Sequence, residues 1–195
     1  MSAENNKIGL IVAIDQKGGI GAKGGMPWND PAELRHFRWV TMGRVLIMGS
    51  RTVDSLIDRK DFEDKVFTPQ DQEVLKGRQI IVVSRKEHVR EYVRLGLYVE
   101  RSLEDAIAKA KELTHPDGLH AFLAGGGQLY KEALEKDLID TMLVSVMRGE
   151  YACDTQFPEI DPVQWDHHTP LAAETFTVNL YSKRKDLNEP ALYSS

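Results

Sequence analysis

Gly18-Gly19-Ile20-Gly21-Ala22-Lys23-Gly24-Gly25-Met26-Pro27-Trp28-Asn29-Asp30-Pro31-Ala32-Glu33-Leu34-Arg35-His36-Phe37-Arg38-Trp39-Val40-Thr41 joins a glycine-rich loop to an amphipathic helix. Asp30 has the character of an N-cap, and Pro31 falls at the first helical position, where a missing N–H costs nothing. Leu34, Phe37, Val40 and Thr41 then recur at helical spacing and define an apolar stripe. Glu33 lies at the edge of that stripe rather than opposite it. A carboxylate facing apolar surroundings is desolvated and needs a partner. Two uses stay open for it. The spacing from Asp30 to Glu33 is that of a capping box, in which the acid turns back to the N-cap N–H; alternatively the acid serves a ligand site.

Working outward, Ile8-Gly9-Leu10-Ile11-Val12-Ala13-Ile14 is an apolar run suited to a strand covered on both faces. The stretch from Asp15 to Met26 holds five glycines and no periodicity, and reads as a loop; a loop of that length in a compact domain is commonly functional. Arg44 to Gly49 and Gln79 to Ser84 repeat the buried-strand pattern, with a short helical segment from Ser50 to Leu56 and a polar excursion from Asp58 to Lys76 between them. Leu97-Tyr98-Val99 is a short strand, and Ser102 caps a helix carrying Leu103, Ile107 and Ala110 on one face. His120 to Ala124 is a strand, Gly125-Gly126-Gly127 opens a helix from Gln128 to Leu134, and Thr141 to Met147 is a further strand. Two last strands, Trp165 to Thr169 and Thr175 to Ser182, alternate apolar and polar residues and read as antiparallel and half exposed. The pattern predicts an α/β fold: a central mixed, mostly parallel β-sheet with an antiparallel C-terminal strand, flanked by helices.

At 195 residues the chain suits one domain, assigned to 1–185, with a polar tail over 186–195 whose composition begins at Lys183. A net charge of −5 argues against a general nucleic-acid or membrane-surface binder, so any anion site must be a local cluster. The single cysteine, Cys153, forms no intrachain disulfide, and the six histidines, the adjacent His167 and His168 with four scattered ones, give no metal spacing. The polar start and the lack of a long apolar run predict a cytoplasmic protein.

Ile20-Gly21, Met26-Pro27-Trp28 and Asp30-Pro31-Ala32-Glu33-Leu34 with Phe37, in that order, resemble the substrate-side signature of the dihydrofolate reductase family. Gly125-Gly126-Gly127 with Tyr130, and Cys153-Asp154-Thr155-Gln156-Phe157-Pro158, extend the resemblance to roughly Ile8 through Ser182. The resemblance implies reduction of 7,8-dihydrofolate to tetrahydrofolate by hydride from NADPH, serving one-carbon and thymidylate metabolism. It further implies small-molecule partners only, dihydrofolate and antifolates, and a monomer.

Residue by residue, the resemblance implies catalytic roles for Glu33, Trp28 and Ser145. It implies a substrate pocket of Ile11, Val12, Ala13, Phe37, Leu56 and Arg78, with Glu33 and Ser145. For NADPH it implies Ala13, Ile20, Gly21 and Gly25 beside the nicotinamide, with Leu129 and Tyr130. Gly125, Gly126, Gly127 and Gln128 would hold the pyrophosphate, including a cis peptide at Gly125–Gly126. Arg51, Thr52, Ser84, Arg85 and Arg101 would hold the remaining phosphate charge. The Gly18 to Met26 loop becomes a lid, and Asp154 and Thr155 brace it.

Three departures stand out. Ala124 replaces a larger aliphatic, Gln128 a basic residue, and Cys153 a frequent glycine; the Asp58 to Lys76 excursion is also longer than usual. Two rival readings are a pyrimidine reductase of the riboflavin pathway, against which Met26-Pro27-Trp28 with Glu33 speaks, and a catalytically idle binding relative.

Overall fold

The computed structural model describes residues 7–56, 75–86, 90–113 and 121–184. In chain order these form β1 (Ile8–Ile14), β2 (Gly19–Gly21), α1 (Pro31–Thr41), β3 (Val45–Gly49), α2 (Ser50–Leu56), β4 (Gln79–Val83) and α3 (Arg90–Arg94). There follow β5 (Tyr98–Glu100), α4 (Leu103–Leu113), β6 (Ala121–Leu123), α5 (Gly127–Glu135) and β7 (Thr141–Met147). β8 (Thr155–Gln156), β9 (Trp165–His167), β10 (Leu171–Ala172) and β11 (Phe176–Lys183) complete the described chain.

The main sheet runs β10-β11-β7-β1-β6-β3-β4-β5, with β9 also paired to β11. β7, β1, β6, β3, β4 and β5 are parallel, and β11 is antiparallel to β7. The fold is the mixed, mostly parallel α/β sheet that the sequence pattern predicts. Alternation along the strands divides the interior into two faces. Leu10, Val45 and Ile47 pack with Leu103, Ile107 and Ala133 of α4 and α5, while Ile11, Leu46 and Met48 pack with Val53 and Tyr92 of α2 and α3. Both faces are covered, which is why the strands read as continuous apolar runs.

Local chemistry fixes α1 as expected. Asp30 Oδ1 accepts the N–H groups of Ala32 and Glu33 at 2.8 and 3.0 Å, with Pro31 in the first turn. The stripe differs from its sequence reading. Leu34, Phe37 and Val40 are only partly covered, and Glu33 and Thr41 are the buried residues of the helix. α1 therefore presents a wall with one open side rather than a filled core face.

Three further differences have local causes. The Asp15 to Met26 loop contains β2, which pairs antiparallel with β8; strands of two or three residues carry no readable periodicity. α3 is equally too short to announce itself. Lys183 ends β11 instead of beginning a loose tail: its N–H donates to Asp140 O at 3.1 Å, and Arg184 Nε donates to Asp166 Oδ1 at 2.7 Å. Most of the Asp58 to Lys76 excursion, and His88, His115 and His120, lie outside the described residues. No helix among the described residues is long and apolar enough to cross a membrane.

β6 sits between β1 and β3, and Leu123 on it is 0% exposed. Leu123→Ala should cost about 3 kcal/mol, read as a lower urea midpoint with an unchanged slope.

Candidate active site

The parallel strands end side by side, and the candidate residues gather there. Open α/β sheets bind ligands outside the carboxyl ends of their strands, where loops can vary without disturbing the ladder. β1 and β7 pair in register, with Ala13 opposite Ser145. α1 crosses over this pair and brings Glu33 to it. Glu33 is 5% exposed, and Ser145, 2% exposed, donates its hydroxyl to the Glu33 carboxylate. Burial, and secondly the negative charge of Asp30, push the Glu33 carboxyl up to about 7, against the pull of the Ser145 bond. The carboxylate thus works between elements, on a strand partner, rather than solely within its own helix.

Around the acid, Ile11 packs toward Phe37 and Leu56, and Ala13 packs with Trp28. Val12 points to the opposite face, against Leu129 and Tyr130, so any contact from it to a ligand runs through its backbone. Leu75 is wholly buried in the core beneath. The indole Nε1 of Trp28 is buried with no hydrogen-bond partner among the described residues. Tyr151, which no sequence pattern singles out, packs its ring on Trp28 at 5.2 Å between centroids.

Arg78 lies at the far end of α1. It is 4% exposed, and donates from Nε to Thr41 Oγ1, from Nη1 to Lys76 O and from Nη2 to Arg38 O, each at 2.8 Å. Its ring neighbour is Phe37, 6.0 Å from the guanidinium carbon. All its described partners are neutral oxygens; burial and then Arg38 lower its affinity for the proton. A buried cation oriented by three acceptors and facing no acid among the described residues is suited to an anion.

The glycine turn and the helix it opens are tied to β1 and β3 by hydrogen bonds. The Gly125–Gly126 peptide is cis. Gly49 donates its N–H to Gly125 O at 2.8 Å, and Tyr130 donates its hydroxyl to Ile11 O at 2.8 Å. Burial, and secondly the charge of Glu33, push the Tyr130 hydroxyl above its ordinary range. A Cβ on Gly126 would stand 3.0 Å from Thr52 Oγ1, and one on Gly127 would stand 2.9 Å from Thr155 Cγ2 and 3.1 Å from Ile20 Cδ1. The turn is therefore packed between α2 and the β2–β8 ribbon, where Gly21 pairs with Thr155; Gly25 bridges to Ala22 just beyond.

Helix α5 begins here with Gly126 as a cap that offers no side chain, so its first N–H groups remain available to an anion. Arg51, Arg85 and Arg101 are exposed just past the carboxyl ends of neighbouring β3, β4 and β5, and Ser84, 5% exposed, donates its N–H to Glu100 O at 2.9 Å. An uncapped helix start with three arginines in one row fits a ligand with several phosphates. Gln128 is exposed at the helix start, so this turn supplies no cation of its own, and Ala124 is half-buried beside it. A groove of about 740 Å³ along the outer side of α5 takes in only Gly127 and Gln128 of the candidate residues. No cluster of metal-ligating side chains occurs among the described residues.

Comparison with known proteins shows the family. The sequence profile of the family described as dihydrofolate reductase matches residues 7–182. The chain is 32% identical over 158 residues to dihydrofolate reductase type 3 of Salmonella typhimurium, covering 81% of this chain and 82% of that protein. It is 37% identical over 127 residues to the dihydrofolate reductase of Mycobacterium tuberculosis, covering 65% of this chain and 64% of the other. Among solved structures, an Enterococcus faecalis dihydrofolate reductase complexed with NADP(H) and RAB-propyl superposes with a TM-score of 0.67 at 22% identity, covering 93% of this chain and 98% of that one. A profile matched over most of the chain, with a relative 32% identical over most of both chains, leads to one conclusion: the chain belongs to the dihydrofolate reductase family, and is an NADP-dependent enzyme of that family.

Proposed function

We propose that the cleft reduces 7,8-dihydrofolate to 5,6,7,8-tetrahydrofolate with NADPH, and that Glu33 grips the pterin while it accepts hydride and proton. The observation that carries this is Glu33: one carboxylate, 5% exposed, bonded to Ser145 and electrostatically linked to Tyr130 beside the glycine turn. When bound, NADPH supplies the hydride, which goes to pterin C6.

Glu33 and its neighbours supply orientation and charge. Ionised, the carboxylate accepts two parallel hydrogen bonds from the pterin amino group and the adjacent ring nitrogen, which fixes the ring in its plane. Its negative charge also stabilises the positive charge that develops as N5 takes a proton. Ser145 holds the carboxylate by donating to it. Trp28, with a buried and unpartnered Nε1, orients the water through which the N5 proton arrives, since the acid is occupied at the opposite edge of the ring. Ile11, Ala13, Phe37 and Leu56 give the apolar walls. Arg78 receives the carboxylate of the substrate's glutamyl tail as a charge-assisted pair.

The cofactor's residues follow from the fit described above. Gly125, Gly126, Gly127 and the start of α5 hold pyrophosphate, with Thr52 and Gln128 alongside. Arg51, Arg85 and Arg101 hold the further phosphate that distinguishes NADPH from NADH. Ala13, Ile20, Gly21, Gly25, Ser84, Leu129 and Tyr130 complete the pocket, and the 18–26 loop covers it against bulk water.

Mixing the protein with NADPH and dihydrofolate and following nicotinamide absorbance tests the reading; a pyrimidine substrate in place of dihydrofolate separates the rival reductase. Glu33→Gln should keep the fold and NADPH binding while turnover at pH 7 falls about 100-fold or more; unchanged turnover would remove Glu33 from the mechanism. Arg78→Ala should raise the dihydrofolate KM by about 10- to 100-fold, the value of a charged hydrogen bond, with a smaller effect on kcat.

Glu33 also makes stability depend on pH. Its carboxyl titrates near 4.5 in the unfolded chain and at about 7 when folded, so the folded state binds the proton more tightly. The stability this gives is complete below pH 4.5 and is lost as pH rises to about 7, by on the order of 3 kcal/mol. Glu33→Gln should abolish that decline, so the variant gains on the wild type between pH 4.5 and pH 8 in calorimetric unfolding of the ligand-free protein.

A further inference from the structure

The loop after β1 is held from inside by a group that the proposed chemistry does not use. Asp15 closes β1 and is 1% exposed. Its Oδ1 accepts the backbone N–H groups of Lys17 and Gly19 at 2.8 and 2.7 Å. Its Oδ2 accepts the N–H of Tyr151 at 2.9 Å and a weaker thiol contact from Cys153 at 3.7 Å. One carboxylate thus fastens together two segments far apart in sequence, the start of the 15–26 loop and the loop after β7. Burial pushes the Asp15 carboxyl up, but the N–H groups of Tyr151, Gly19 and Lys17 outweigh it and hold the group below its usual range.

What this fastening supports is the wall of the cleft. Tyr151 is the residue whose ring backs Trp28, at 5.2 Å and tilted by 59°. Moving Tyr151 moves the indole to which the reductase mechanism assigns the water. The same loop pair carries a second clip at its outer edge. Lys23 donates its N–H to Asp154 Oδ2 at 2.7 Å in an exposed setting, and Asp154 returns an N–H to Gly21 O at 2.9 Å. The outer clip is exposed, whereas the inner one is part-buried to buried, and breaking it strands the buried Gly19 N–H. The inner contact is tightly packed as well: a Cβ on Gly19 would stand 2.4 Å from Cys153 Sγ and 3.1 Å from Asp15 Oδ2.

We propose that Asp15 is a positioning residue for the reductase reaction, setting the 15–26 loop and the Tyr151–Trp28 wall in fixed register beside Glu33. It touches neither substrate nor cofactor, and acts through Trp28 and the loop. The proposal rests on the reductase reading.

Asp15→Asn keeps the side chain's shape and the oxygen serving Lys17 and Gly19, but replaces the acceptor facing Tyr151 with an amide that cannot accept. With both ligands saturating, its single-turnover rate should fall at least about ten-fold, the cost of a small misplacement, while the dihydrofolate dissociation constant stays within about three-fold. Equal losses of rate and affinity would mark a purely structural role and overturn the proposal, as would an unchanged rate in a variant whose wild type is active. A wild type inert toward NADPH and dihydrofolate overturns both the reading and the proposal.

Asp154→Asn gives the second readout. If both aspartates act on one loop, the double variant should be no more than about two-fold slower than the slower single variant, whereas multiplied losses would mean independent action and overturn the proposal. Should Asp15→Asn fail to fold, Gly19→Ala decides, because it leaves the carboxylate and displaces the Cys153 contact; it must show the same split between rate and affinity.

Discussion

A carboxylate kept almost out of water is expensive, and the arrangement around Glu33 exists at that cost. Its single described hydrogen-bond partner is the Ser145 hydroxyl, and Asp30 nearby adds repulsion. A protein selected for stability alone would place an apolar side chain there. The burial makes sense once a ligand supplies the missing donors, because a site that is short of hydrogen bonds by itself gains them on binding. The cap at Asp30, the proline at position 31 and the pairing of Ala13 with Ser145 all serve to hold that one group in place.

The positive side of the cleft follows a different logic. The chain is acidic overall, yet Arg51, Arg85 and Arg101 fall on one edge because three neighbouring parallel strands end together. Parallel pairing thereby converts residues scattered across the sequence into a row of charge. Arg78 obeys neither pattern: it is buried, braced by carbonyl and hydroxyl oxygens, and placed at the opposite end of α1 from Glu33. A carboxyl group and a guanidinium cation thus stand at opposite ends of one helix.

The sequence carried the regular elements well and the pairings poorly. The cap and proline of α1 and the buried strand runs are local patterns, and they are legible for that reason. Helix grammar placed Glu33 on a face but left two uses open, since a capping acid and a ligand-binding acid occupy the same position; its partner Ser145 came from the resemblance alone, and that bond is present. The apolar run of β1 concealed that Val12 faces away from Ile11 and Ala13. Tyr151 gave no signal, because its importance lies in a ring contact across the fold. Asp15 gave a faint one. An acid that ends a buried strand and precedes Lys17-Gly18-Gly19 has backbone donors within reach of its own side chain.

The position of β11 has a consequence for how the protein is made. This strand is contributed by residues 176–183, yet it lies against β7, one strand from β1 near the start of the chain. While a nascent chain is still short of these residues, the edge of β7 stays bare, an invitation to pairing with other chains. A chain cut short before Phe176 would leave the Ser145 strand with a bare edge, so the last strand of the fold is also the seal beside the acid.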